Sequence, residues 1–198
     1  MQRDCPANGP SRRTDWNVVH WRRANRIVRN LRQRIFRATQ ANDLRRVRSL
    51  QKLLLRCYSN ILLSVRRVTQ INAGKYTPGV DKVVVKTPAA RGRLVDHLTT
   101  TQPWRACPVR RVYIPKRSDS SKKRPLGIPT VLDRCLQARL QNVLEPEWEA
   151  RFEGTSYGFR PGRSCHDAIG KIYLLACPHK RKRWVLDADI QGAFDHAC

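Results

Sequence analysis

The sequence predicts an α+β chain that opens with a pair of long helices and closes on a β-strand. Three observations carry this reading. Apolar residues recur at helical spacing through most of the first seventy positions, β-prone runs begin only near residue 109, and the last apolar run carries Asp187 and Asp189 just before the C-terminus. The 198 residues leave room for one ordinary domain or for a domain with a helical appendage.

Residues 1–14 hold two Pro, one Gly and no apolar period, so they form a mobile lead-in. Asp15 is placed to cap the helix after it. From Trp16 to about Ala41, Ala24, Ile27, Val28, Leu31, Ile35 and Ala38 recur at helical spacing, and Arg22, Arg23, Arg26, Arg29, Arg32, Arg34 and Arg37 fill the other faces. Asn42 and Asp43 give a turn and a cap. Val47, Leu50, Leu54, Tyr58, Ile61, Leu62, Val65 and Val68 then continue the period to about Gly74, which predicts a second long helix packed antiparallel on the first.

Gly74, Pro78 and Gly79 break the pattern and mark a boundary. Thr87 and Pro88 open a short helix near 88–98. The runs 109–116 and 124–129, separated by a polar loop of about seven residues, predict a hairpin with a basic tip. Thr130 and Asp133 form a capping-box pattern for a helix whose buried stripe is Leu132, Leu136, Leu140, Val143 and Leu144, and Pro146 resets the chain after it. SYGFRPGRS at 156–164 is turn-rich and leads into a helix from Ser164 to Ala176; Arg183 to Ile190 reads as a buried strand.

Charge narrows the partner. Forty Lys plus Arg stand against 15 Asp plus Glu, a net +25 that is spread along the chain and points to a polyanion. Arg heavily outnumbers Lys in the first seventy residues, and its planar fork suits phosphate oxygens and base stacking, which favours structured nucleic acid over a membrane surface. The Cys residues at 5, 57, 107, 135, 165, 177 and 198 show no zinc spacing and read as reduced thiols in a cytosol-like compartment. No apolar run approaches the ~18 residues of a membrane span. A bacterial cytoplasm is the expected setting, with an organelle as the other.

In a strand, Asp187 and Asp189 share one face about 7 Å apart, opposite Leu186, Ala188 and Ile190. Two such carboxylates repel unless a cation lies beside them. A cap on the following turn is the competing role for either one. Lys116, Lys122, Lys123 and Arg124 sit where a hairpin tip could fold over a triphosphate, although a Lys/Ser-rich turn is commonly a solvated loop. Arg160 and Arg163 lie in a turn, where guanidinium groups either meet a polyanion or bond carbonyls.

TPGVD at 77–81, YIPK at 113–116, RPLGIPT at 124–130, SYGFRPGRS at 156–164 and DADIQGAFD at 187–195 together resemble the successive N-terminal blocks of the reverse transcriptases encoded by group II introns, also called maturases. RIFRATQANDLRRVRSLQKLLLR at 34–56 is similar to the extension that precedes them. The resemblance covers the chain from about Trp16 onward. It implies the start of a right-hand polymerase, truncated: a disordered lead-in at 1–14, an N-terminal helical extension at 15–76, a fingers region at 77–181 and the first, incomplete palm strand at 182–198.

By that resemblance Asp189 is the catalytic aspartate and Mg²⁺ ligand, with the backbone carbonyl of Ile190 beside it. Lys116 and Arg124 contact the triphosphate of a dNTP, and Phe194 is the aromatic gate that rejects a ribose 2′-OH. Arg22, Arg23, Arg26, Arg29, Arg160 and Arg163 would bind intron or template RNA, and the complete enzyme would hold a primer/template duplex and two Mg²⁺ ions. Two-metal transfer needs further carboxylates, and the Y-x-D-D block that supplies them in the family is not in this sequence. The chain alone is therefore expected to be inactive, completed by a second polypeptide or acting as a catalytically dead RNA-binding splicing module. A ribosomal-type RNA-binding protein would fit the charge but not GFRPGRS, and no helix-turn-helix or zinc spacing supports a DNA-binding factor.

Overall fold

The computed structural model describes residues 13–100, 105–115, 121, 123–177, 184 and 186–190. The chain divides into two units, 1–151 and 152–198. The first holds α1 (Trp21–Gln40), α2 (Leu44–Arg56), α3 (Tyr58–Arg66), α4 (Pro88–Thr100), the strands β1 (Arg110–Pro115) and β2 (Lys123–Ile128), and α5 (Val131–Arg151). The second holds α6 (Cys165–Ala176). The described chain is thus mixed, mainly helical with one two-stranded antiparallel sheet.

The stripe Ala24, Val28, Leu31, Ile35 and Ala38 is buried along α1 as its period requires. Its start differs from the expectation. Asp15 caps a single 3₁₀ turn, Trp16–Val18, by accepting from the Asn17 N–H at 3.0 Å, and the chain is extended at Val19 before α1 begins at Trp21. Trp16 is buried edge-on to Trp21, with ring centroids 4.8 Å apart. Thr14 is anchored too: its backbone N–H and its hydroxyl donate to the Asp96 carboxylate on α4. Gly92 makes room for this contact, because a Cβ there would run into the Thr14 carbonyl. At the other end of α1, Asn42 turns the chain in the left-handed region (φ 57°) and Asp43 caps α2.

The second long helix is broken. Its apolar period runs on through residue 57, yet Cys57 is extended (φ −67°, ψ 121°) and α3 restarts at Tyr58. The break strands carbonyls that a continuous helix would satisfy. Side chains take them up: Asn60 Nδ2 donates to the Leu54 carbonyl at 3.0 Å, and Arg139 Nε reaches the Leu55 carbonyl at 2.6 Å. Asn60 Nδ2 also meets the Arg139 carbonyl at 3.2 Å, and its Oδ1 accepts from Asn142 Nδ2 at 2.8 Å. The expected pair of helices is therefore three helices with a polar joint, closed against α5.

Pro146 does not end α5. The helix runs through it to Arg151, with Pro146 buried. A proline there removes one intrahelical bond, but both neighbours are tied to other helices. Glu145 pairs with Arg32 on α1, and Glu147 accepts from Gln51 on α2 at 2.6 Å. Thr130 and Asp133 form the expected cap: the Asp133 N–H donates to Thr130 Oγ1 at 3.0 Å, and that hydroxyl donates to the Asp133 carboxylate at 2.7 Å.

Two apolar clusters form the core, and α5 enters both. Val131, Cys135 and Ala138 join Trp16, Ile61, Val65, Val95 and Leu98 in one; Val143 joins Leu31, Ile35, Val47, Leu50 and Leu54 in the other. Burial pushes the Cys135 thiol up to about 12, so it stays an inert packing group. The hairpin pairs Ile114 with Arg124 and Pro115 with Lys123 at the end next to its connecting loop, and both strands are largely exposed.

In the second unit, Ser164 and Asp167 cap α6 reciprocally, the Asp167 carboxylate accepting from the Ser164 N–H at 2.8 Å. Of the expected strand at 183–190, the described residues, Trp184 and 186–190, carry no regular structure, and Leu186 and Ile190 are exposed. Strand residues need a hydrogen-bonded neighbour and cover for their apolar faces, and no described residue supplies either.

Replacing Asn60 with Ala takes from the Leu54 carbonyl one of its two donors, the Cys57 N–H remaining, and leaves the Asn142 amide without its acceptor. Urea unfolding followed by circular dichroism should show a loss of at least about 2 kcal/mol with little change in native helix content.

Candidate nucleic-acid interface

Burial of the α1 stripe forces its arginines outward. Arg22, Arg26 and Arg29 follow one another at spacings of four and three, which stacks them on one side of the helix. All three are exposed, as is Arg23 on the adjoining flank. The four line one open recess with Val19, His20 and Trp21, of about 820 Å³. No carboxylate lines it, and among the described residues none forms an ion pair with any of the four. Arg32, also on α1, has instead been drawn into the core contact with Glu145.

One contributor was not legible from the sequence. Arg66, near the end of α3, lays its guanidinium 4.5 Å from the centroid of the Trp21 ring. It shares a recess of about 550 Å³ with Trp21, Arg22, Asn25, Arg26 and Arg29. Asn25 is held by its own bond to the Trp21 carbonyl at 2.8 Å. The stacking fixes the Arg66 plane and leaves its N–H edges available, a pre-oriented cation for phosphate. Only the packing of α3 on α1 brings residues this far apart in sequence together.

The other sequence-predicted residues fall elsewhere. Arg124 is exposed on β2, at the loop end of the hairpin opposite Ile114. Lys116 and Phe194 lie outside the described residues. In the second unit, Arg160 is buried, its NH1 donating to the Glu153 and Ser156 carbonyls at 2.6 and 2.7 Å while its guanidinium lies over Phe152. Arg163 donates to the Gly154 carbonyl at 2.7 Å and lies over Tyr157. Of the two roles open to these arginines, carbonyl bonding in the turn is the one the geometry displays.

Asp187, Asp189 and Ile190 are all exposed on the unpaired segment, without the shared strand face that the alternation predicted. Among the described residues no group of three or more His, Cys, Asp or Glu is gathered as a metal would require. The donor set in view therefore does not fit a Mg²⁺ pair, which needs several oxygen ligands held in register. No described helix is long and apolar enough to cross a membrane.

The first unit is thus a helical bundle with arginines exposed along α1 and a largely exposed hairpin. Comparison with known proteins makes the class specific. Residues 16–98 match the N-terminal domain of reverse transcriptase, and residues 114–197 match reverse transcriptase (RNA-dependent DNA polymerase). Protein YkfC of Escherichia coli is 42% identical over 141 residues, covering 68% of this chain and 36% of that protein. The group II intron-encoded protein LtrA of Lactococcus lactis is 46% identical over 93 residues, 45% of this chain and 14% of that one. Maturase-like protein 1 of Euglena gracilis is 27% identical over 141 residues, 71% of this chain and 30% of its own length. The chain belongs to the group II intron-type reverse transcriptases and corresponds to their N-terminal portion. It spans about a third or less of each of these relatives.

Two outcomes test this geometry. The hydrogen bonds from Ser164 hold the Asp167 carboxyl below its ordinary value of 3.8, so the cap contributes above the usual carboxylate range and is lost as pH falls through the lowered value. Carboxyl ¹³C titration should place the Asp167 midpoint below 3.8, and Ser164→Ala should raise it. Arg160→Ala should make 152–164 at least about tenfold more susceptible to limited proteolysis, since the turn loses its buried guanidinium and the bonds it makes to the Glu153 and Ser156 carbonyls.

Proposed function

We propose that this chain is the RNA-gripping N-terminal part of a group II intron-type reverse transcriptase, with Arg22, Arg23, Arg26, Arg29 and Arg66 holding backbone phosphates. The observation that carries this reading is the cationic recess on α1, where guanidinium groups converge, one of them stacked on Trp21, and no carboxylate competes. Phosphate contacts of this kind supply affinity and register without reading sequence. The ligand is structured intron RNA or the primer/template duplex. The relatives named for intron-encoded proteins and maturases support that choice, and the bacterial ones support a bacterial setting.

In this reading the hairpin closes over an incoming dNTP, with Arg124 and Lys116 meeting its triphosphate and Phe194 screening the sugar. Asp189 and the Ile190 carbonyl are the chain's contribution to a Mg²⁺ site, where the ions would neutralise charge on the transferring phosphoryl group. Several described carboxylates are engaged elsewhere: Asp133 by Thr130, Asp167 by Ser164, and Glu145 by Arg32. In this reading nucleotidyl transfer also uses the carboxylates of a Y-x-D-D block, supplied by a longer form of the chain or by a second polypeptide.

Filter binding to a group II intron RNA should show log K falling steeply with log salt. The triple variant Arg22→Ala, Arg26→Ala, Arg29→Ala should flatten that slope by about 2 to 3, from 0.7–0.9 per phosphate contact; a flat wild-type plot would overturn the phosphate reading. The 198-residue chain by itself should extend a primer no further than its Asp189→Ala variant in Mg²⁺ or Mn²⁺, and extension above that control would refute the need for added carboxylates.

A further inference from the structure

The opposite flank of α1 carries a second concavity of different chemistry. It runs between the first half of α1, the segment that precedes it and the α2–α3 joint, with a volume of about 980 Å³. Its floor is aliphatic: Val18, Val19, Ile27, Leu31, Leu53 and Leu62 line it, and Val18 and Leu53 are 68% and 52% exposed. Exposed Arg13, Arg23, Arg34 and Arg56 rim it. Its one carboxylate, Asp15, is occupied by the Asn17 N–H. The wall is preformed, because Thr14 is bonded both to Asp96 and to the Tyr58 hydroxyl, the latter at 2.7 Å.

We infer that this groove docks an acidic amphipathic helix of a partner protein, its aliphatic stripe on the floor and its carboxylates among the four arginines. An apolar trough with a charged rim matches the way such helices are captured, through anchors at i, i+3, i+4 and i+7. The lining argues against the other occupants. Unstacked bases are held on aromatic or guanidinium planes, whereas this floor is aliphatic; of the two aromatic rings that line the groove, Tyr58 has its hydroxyl tied to Thr14 and His20 is shared with the cationic recess. A second copy brings another net +25, and the glutamates on its α5 are engaged, Glu145 by Arg32, Glu147 by Gln51 and Arg151, and Glu149 by a contact of its own. Residues 1–12 carry Arg3 and Arg12 against Asp4 and no apolar stripe. The inference does not rest on RNA binding: the groove meets the cationic recess at Val19, His20 and Arg23, and Arg23 alone among the proposed phosphate contacts lines both.

The probe is a fluorescein-labelled peptide of about 20 residues with Leu at the helical-stripe positions and Glu at most others, compared with a scrambled isomer of identical composition. Anisotropy is read on the full chain in about 0.3 M salt, which screens unspecific attraction. The striped peptide should bind at least about tenfold tighter than its isomer, and the neutral double variant Val18→Ser, Leu53→Ser should lose about that factor. In the same variant, RNA affinity and the urea midpoint should stay unchanged. Arg56→Ala should weaken the striped peptide by a few-fold if Val18→Ser, Leu53→Ser proves unstable. Equal binding of the two isomers, or no binding of either, overturns the inference. So does a loss of RNA affinity in a folded Val18→Ser, Leu53→Ser variant, which would assign the groove to nucleic acid.

Discussion

The first unit depends on how the break at Cys57 is made good. Ending one helix and starting another inside a core exposes carbonyls to an apolar surrounding, a cost of a few kcal/mol if unanswered. Asn60, Arg139 and Asn142 answer it, with two of those side chains coming from α5. Burial makes the Arg139 cation harder to hold, lowering its pKa, yet it stays protonated because guanidinium begins so high. This joint locks α5 in position, and α5 in turn supplies Val131, Cys135, Ala138 and Val143 to both core clusters.

A similar constraint governs charge. With 15 acidic residues against 40 basic ones, the placement of each carboxylate decides which cations remain available. Asp15, Asp43, Asp133 and Asp167 are engaged in caps, Asp96 with Thr14, and Glu145 and Glu147 in cross-helix ties. What is left on α1 is an arginine surface with no internal neutralisation, divided by its buried stripe into a phosphate-suited side near Trp21 and an apolar groove with a basic rim. The exposure of cations on α1 thus arises from the use of acids in the fold as much as from the number of arginines.

Much of the secondary structure was legible because its signals are local. The α1 stripe, the Asn42–Asp43 turn, the hairpin and the Thr130 cap each depend on residues within a few positions of one another. The misreadings occur where a distant partner overrides a local rule. Helical period carried through Cys57, but α5 supplied the groups that let the chain break there. Pro146 reads as a stop, but Arg32 and Gln51 hold the residues on either side of it. The run 183–190 has strand composition, but strand structure is a property of pairs, and no partner is present among the described residues.

The site divides along the same line. By itself the sequence determined the family, through motif order, and the arginine-rich identity of α1, because residue type and helical spacing are written in the chain. Only tertiary structure decided which arginines converge, that Arg66 is set on Trp21, that Arg160 is turned inward to carbonyls, and that an aliphatic groove opens beside α1. Those outcomes depend on contacts between residues far apart in sequence, whose geometry is fixed by packing of α1, α3 and α5 and has no local signature to read.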